Sequence, residues 1–166
     1  KERTLDLNQY AKLVEKFLKN KKSKIIFEPG RFIAGNTSIL ISKVIYIKKN
    51  KNKTFIILDA GMNDLMRPAL YDAQHEIMPI RKSNKKMIGK IEFVGPICES
   101  TDKFLTQKNF SKLNEGDYIA ITNVGAYGMS LASNYNARPI IAEILVSGSK
   151  YKIIKKRQSL ENLINN

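Results

Sequence analysis

Residues 96–102, Pro-Ile-Cys-Glu-Ser-Thr-Asp, set a thiol, Cys98, directly beside a carboxylate, Glu99. A lone cysteine is more often a small core residue than a reactive one. The charges at Glu99 and Asp102 argue against a deep core here and put the thiol in play for chemistry. A second group is Glu28-Pro29-Gly30-Arg31. Gly30 lets backbone come close to an anion, and Arg31 offers a planar fork for phosphate or carboxylate. Glu28, held at a strand end, could keep a heterocyclic nitrogen protonated; a turn with surface charges is the plainer alternative. A third group is Arg67 and Tyr71, four residues apart and so on one face if the segment is helical. A guanidinium and a phenol converging there could grip a carboxylate; alternatively Tyr71 is buried with its hydroxyl bonded to backbone. The fourth, Asn123-Val124-Gly125-Ala126-Tyr127-Gly128, has glycines around Tyr127 that permit tight backbone and present the ring outward, as a lid or phosphate ligand. A structural tyrosine in a turn is the alternative. The single histidine, His75, is read as structural.

These groups need elements to hold them. Apolar residues at Leu5, Leu7, Tyr10, Leu13, Val14, Phe17 and Leu18 recur at helical spacing, which predicts a helix over 5–20 with one stripe facing a core. Asn20 and the lysines after it end that helix. Lys24-Ile25-Ile26-Phe27 reads as a short buried strand whose carboxyl end carries Glu28 and Arg31. Helix, loop and such a strand make one unit of an α/β barrel, where chemistry sits at the strands' carboxyl ends. One unit cannot close a barrel, so the remainder is expected in a longer chain, and the start at Lys1 without Met suggests a fragment.

After residue 36 the character changes. Strands are expected over 38–47, 54–58, 76–80, 87–94, 117–122, 139–146 and 151–155, separated by turn residues. A short helix or ordered loop interrupted by Pro68 fits 63–71, and a last short helix fits 160–164. The predicted fold class is mainly β: a β-barrel or sandwich domain over 37–166, preceded over 1–36 by the tail of an α/β (TIM-like) barrel.

Composition narrows the classes. With 166 residues, 43% hydrophobic and 27% charged, the chain can bury a core. No apolar run approaches the roughly 20 residues of a membrane span. One cysteine and one histidine leave no set of three or four N/S ligands, so no metal site is expected. The lone cysteine fits a reducing cytoplasm. The net charge of +14 raises nucleic acid as a partner, but the basic residues fall in turn-like stretches (19–24, 48–53, 81–86, 150–157) with no nucleic-acid motif. A solvated, lysine-rich surface is the expectation.

The order and spacing of the four groups carry more than each alone. EPGRFIAGNTSIL (28–40), LDAGMNDLMRPALYDAQHEI (58–77), VGPICESTD (94–102) and NVGAYGMSLASNYNARP (123–139) resemble successive blocks of the diaminopimelate decarboxylase family, fold-type III enzymes dependent on pyridoxal phosphate. The similarity runs from about residue 24 to the end. It implies a carboxyl-terminal part only, with the Schiff-base lysine and the glycine-rich phosphate loop on barrel strands outside this chain. Such a chain alone is expected to be inactive. By the same resemblance, Glu28 pairs with the cofactor's pyridine nitrogen, Gly30 lies at its phosphate, and Arg31 serves phosphate and substrate carboxylate. Arg67 with Tyr71 holds the carboxylate at the substrate's far end, Cys98 donates the proton that replaces the lost carboxylate, Glu99 reads the distal ammonium, and Tyr127 contacts cofactor and substrate. The family assembles as homodimers in which Cys98 and Glu99 reach into the partner's site.

The implied substrate is meso-diaminopimelate, with an amino acid group at each end. A sister enzyme acting on ornithine or arginine resembles CDG rather than CES at the thiol loop, so Glu99-Ser100 favours diaminopimelate. Gln74 and Ile140 depart from the family pattern outside the residues given a role. The remaining alternatives are a sister decarboxylase and a non-catalytic β module.

Overall fold

The fold comes from a computed structural model that describes residues 5–165. The first helix, α1 (Leu7–Leu18), starts where Asp6 accepts hydrogen bonds from the backbone N–H groups of Asn8 and Gln9 at 2.9 and 3.1 Å. That arrangement satisfies donors the helix itself leaves free. It ends as Asn20 turns left-handed at φ 70°. Its apolar stripe meets no core within this chain: Leu7, Leu13 and Phe17 are each more than half exposed and no α1 residue is buried. The segment expected as a strand, 24–27, is not one. It has no sheet partner, and Ile26 is 87% exposed. A parallel-barrel strand draws its hydrogen bonds and its cover from neighbouring strands and helices; among the described residues no strand pairs with this segment, and α1 reaches it through Tyr10, edge-on to Phe27 at 5.9 Å. Directly after it comes α2 (Gly30–Ala34), a single helical turn.

The rest is mainly β. Strands β1 (Leu40–Lys49), β2 (Lys53–Leu58), β3 (Ile77–Pro79), β4 (Lys86–Val94), β5 (Lys103–Ser111) and β6 (Tyr118–Ile121) form one nearly closed, barrel-like sheet in the order β3-β6-β1-β2-β4-β5. All pairs are antiparallel except β2 with β4. The inward-facing positions Val44, Ile56, Leu58, Ile91, Phe93, Phe110, Ile119 and Ile121 make the core, with Phe93 edge-on to Phe110 at 5.0 Å. Helix α3 (Arg67–Tyr71) follows β2 and lies against β5, with Pro68 at its start, where a missing N–H costs no intrahelical bond.

β5 is the strand the sequence reading lacks. Its apolar anchors, Phe104 with Leu105 and then Phe110, are separated by the polar run 106–109, and Asn109 breaks the alternation at φ 58°. Strands β7 (Glu143–Ser147) and β8 (Lys150–Lys155) form a separate hairpin turned at Gly148, φ 59°. Helix α4 (Leu160–Ile164) follows, capped by Ser159. Several lysines counted among the turn-like stretches stand on strands instead: Lys48 and Lys49 end β1, Lys53 opens β2 and Lys150 opens β8.

One charged cluster lies within the sheet, between β2 and β4. Glu92 on β4 is buried and bonded to Lys53 at 2.9 Å and to Lys90 at 3.2 Å. Burial alone would raise its carboxyl, but the two ammonium groups outweigh it and hold Glu92 below the usual range.

Candidate functional site

The residues singled out in the sequence sit on connections, at the ends of short elements. Gly30 and Arg31 open α2, Arg67 and Tyr71 begin and end α3, Cys98 and Glu99 lie between β4 and β5, and Tyr127 follows β6. Loops carry such residues because their side chains are not committed to the core. What matters is how the loops are fixed to one another.

The 123–128 loop is fastened to α2. Gly125 N–H donates to the Gly35 carbonyl at 3.0 Å and Val124 N–H to that of Ser38 at 3.2 Å. A Cβ on Gly125 would collide with the Ala34 carbonyl oxygen, so only glycine allows this approach. The result brings Tyr127 over α2: its hydroxyl lies 3.9 Å from where a Cβ on Gly30 would stand. Tyr127 itself takes a left-handed conformation, φ 59°, and its ring is half exposed. Such a backbone is unfavourable for a non-glycine residue by about 1–2 kcal/mol and persists only where its surroundings enforce it. The glycines around it therefore serve the fit of the loop, while the strained residue is the tyrosine.

Arg67 lies near the same ring, with its Cζ 6.0 Å from the Tyr127 centroid. It is buried, and its Nε–H has no partner among the described residues. A buried, unpaired guanidinium donor fits an anionic oxygen from outside the chain. Tyr71, four residues on, is 63% exposed, which excludes the buried, backbone-bonded alternative. Gly30, Arg67 and Tyr127 thus converge, Arg31 adjoins Gly30, and Glu28 precedes them, exposed, with its carbonyl accepting from Gly30 N–H at 2.8 Å.

His75 lies close enough to Arg67 and Arg31 for their charges to act on it. It is buried, with Nδ1 2.9 Å from the Thr122 carbonyl oxygen, so Nδ1 carries the proton and donates. Nε2 is left without a partner among the described residues. Burial first, then the nearby charges of Arg67 and Arg31, push its pKa down, against the opposing pull of the Thr122 carbonyl. With the folded value lowered, the unfolded chain takes the proton first. The stability His75 contributes is whole above its ordinary value of about 6.5 and is lost as the pH falls from there toward the lower folded value. The melting-temperature difference between wild type and His75→Gln should therefore shrink between pH 7.5 and pH 5. A difference constant over that range would contradict a neutral buried imidazole.

The thiol loop forms a second group. Cys98 is an exposed free thiol, as its charged neighbours suggested. Glu99 is fully exposed, and hydrogen bonds from Thr101 N–H and the Ser100 hydroxyl hold its carboxyl below the usual range. No hydrogen bond or ion pair among the described residues joins Cys98 or Glu99 to Arg31, Arg67 or Tyr127.

Sequence reasoning missed the residues that lock these loops. Asn63 accepts from Arg138 Nε at 2.9 Å and donates from its amide to the Ser133 carbonyl at 3.4 Å. Asp64 accepts from Gly61 N–H at 2.9 Å and faces Arg138 at 3.7 Å. Burial raises the Asp64 carboxyl despite both. Asp59 accepts from the Ser42 hydroxyl at 2.6 Å and Lys43 N–H at 2.8 Å. The signal was present as short polar residues beside Gly61, but partners 16 to 75 positions away are not visible in a single sequence.

A barrel-like sheet thus presents a glycine-arginine turn, a strained tyrosine and a buried arginine whose Nε–H has no partner among the described residues, groups suited to an anion. The chain belongs to the pyridoxal-dependent decarboxylases: residues 17–125 match that family's C-terminal sheet domain. Within the family its relatives are diaminopimelate decarboxylases. The enzyme of Helicobacter pylori is 46% identical over 162 residues, which is 98% of this chain and 40% of the relative. That of Zymomonas mobilis is 45% identical over 155 residues, 93% of this chain and 36% of the relative. The crystal structure of the Helicobacter pylori enzyme complexed with L-lysine superimposes with a TM-score of 0.89 at 45% identity, covering 99% of this chain and 40% of that one. This chain therefore spans about two fifths of the length of the relatives it matches.

Proposed function

We propose that this chain is the carboxyl-terminal part of a pyridoxal-phosphate-dependent decarboxylase that converts meso-2,6-diaminopimelate to L-lysine and carbon dioxide in cytoplasmic lysine biosynthesis. The observation that carries the reading is the roughly 45% identity to diaminopimelate decarboxylases along almost all of this chain. The residues present fit the cofactor: the Gly30 turn is open, the Tyr127 hydroxyl faces it and Arg31 adjoins it. Bound there, pyridoxal phosphate supplies the electron sink for the carbon that loses its carboxylate.

This chain's residues then divide the work. Gly30 and Arg31, with Tyr127 above them, hold the phosphate, and Arg31 also serves the substrate carboxylate. Glu28 keeps the pyridine nitrogen protonated. Arg67, buried and with its Nε–H unpaired, binds the far carboxylate together with Tyr71. Cys98 delivers a proton to the carbon, and Glu99 receives the far ammonium. Residues 1–36 belong to the cofactor-binding barrel and 37–166 to the β domain. The exposure of Cys98 and Glu99, apart from the Arg67–Tyr127 group, supports a homodimer in which each thiol loop completes the partner's site.

The test is carbon dioxide release by the full-length, cofactor-loaded protein on meso-diaminopimelate, ornithine and arginine. Preference for meso-diaminopimelate is expected, and Glu99→Gln should raise KM for it about tenfold or more, since a charged pair is lost. A higher kcat/KM on ornithine or arginine would sink the substrate assignment. This chain alone, given the cofactor, should release none.

A further inference from the structure

The Asp102 carboxylate closes the thiol loop on itself and fastens it to the loop that precedes Arg67. It is buried, although it ends a stretch of exposed residues. One oxygen accepts from Ile97 N–H at 2.8 Å, inside the thiol loop. The other accepts from Met62 N–H at 2.7 Å, in the loop between β2 and α3. The Asp102 backbone completes the closure, with its carbonyl accepting from Gly95 N–H at 2.9 Å and its N–H donating to the Glu99 carbonyl at 3.1 Å. Glycines make room for this. A Cβ on Gly95 would overlap the Asp102 carboxyl, and one on Gly61 would stand 2.9 Å from Ile97 Cδ1. Cys98 and Glu99 are thus the exposed tip of a loop whose two ends and neighbouring loop meet at one carboxylate.

We propose that Asp102 is a positioning residue that sets the placement of Cys98, and that its two-acceptor carboxylate is required for it. Asparagine has nearly the same shape but offers one acceptor oxygen, and its amide group would face an N–H donor. Burial works against the charge here, so the two N–H donors and the charge of Arg138 are what keep the carboxylate usable as a double acceptor. The inference rests on the reading of Cys98 as proton donor for its effect on turnover, but not for its effect on the loop itself.

The experiment uses the full-length, cofactor-loaded enzyme with Asp102→Asn, and with Glu92→Gln as a control for destabilisation elsewhere in the sheet. Two quantities are read. The first is the iodoacetamide alkylation rate of the Cys98 peptide, followed by mass spectrometry. The second is kcat on meso-diaminopimelate, in wild-type and Cys98→Ala backgrounds.

Asp102→Asn should change the alkylation rate by about threefold or more. It should lower kcat on the order of 10²-fold, the cost of a reacting group misplaced by about 1 Å. In the Cys98→Ala background the same substitution should lower kcat less than about twofold, since the group it positions is gone. Glu92→Gln should leave the alkylation rate unchanged. An alkylation rate for Asp102→Asn within about twofold of wild type, or a kcat loss that persists undiminished without the thiol, overturns the proposal. If Asp102→Asn does not fold, Asp102→Glu is read by the same two criteria. If the wild-type enzyme releases no carbon dioxide from meso-diaminopimelate, the functional reading fails, and the alkylation rates still decide the role of Asp102.

Discussion

Replacing Cys98 by alanine in the full-length decarboxylase should lower kcat on meso-diaminopimelate by about 10²–10⁴-fold, the range for losing a positioned general acid. KM should change much less, because the groups assigned to substrate carboxylates and cofactor phosphate, Arg31, Arg67 and Tyr127, lie on other segments. The fold should be indifferent to the change. Cys98 is exposed, and the loop is held by Asp102, Gly95 and Ile97 rather than by the thiol. An exposed substitution of this kind shifts stability by about 0.5 kcal/mol at most. Steady-state carbon dioxide release and a melting curve on the same preparation check both halves. A kcat within tenfold of wild type, or a loss matched by unfolding, would remove Cys98 from the chemistry.

The second large effect is expected at a residue that touches no substrate. Gly125→Ala should destabilise the protein by about 3 kcal/mol, at the upper end for forcing atoms into a filled space. The new Cβ collides with the Ala34 carbonyl oxygen and would stand 2.5 Å from Thr37 Oγ1. A backbone oxygen cannot swing aside as a long side chain would, so the 123–128 loop must lift from α2. Tyr127 then leaves Gly30, and cofactor affinity should fall together with stability. Gly116→Ala is the comparison. Its left-handed φ of 90° makes alanine unfavourable there too, but nothing stands within 4 Å of the added carbon. The shift in denaturant midpoint at constant slope measures both. A loss at Gly125 no larger than that at Gly116 would show that the contact with α2 gives way cheaply and does not hold the loop.

Much of the fold is readable along the chain where apolar residues alternate between turn signals. β1, β2, β4, β6 and the β7–β8 hairpin lie within a few residues of expectation. β5 is not readable, because Thr106, Gln107, Lys108 and Asn109 interrupt its apolar pattern. It is an edge strand, where polar residues and a bulge guard against pairing with other chains. The 24–27 segment fails in the opposite sense. Ile25-Ile26-Phe27 has strand composition, but a strand exists only when neighbours take its hydrogen bonds, and its neighbours are not in these residues. The same holds for the apolar stripe of α1, which is patterned for a core this chain does not supply.

The candidate site divides along the same line. Residue types and their order in the sequence determined which groups could act: a thiol beside a carboxylate, an arginine after a glycine turn, a tyrosine between glycines. Those properties belong to single side chains and short spacings, and the family resemblance follows from them. Only the tertiary structure decided that Arg67 is buried with an unpaired donor while Tyr71 is exposed, that Tyr127 is the strained residue over Gly30, and that Asp102 joins two loops through one carboxylate. Each depends on hydrogen bonds or packing between residues 40 to 97 positions apart, or on burial that such contacts create. Separations of that size leave no periodic trace in a sequence, because the sheet, and not the chain, brings those residues together.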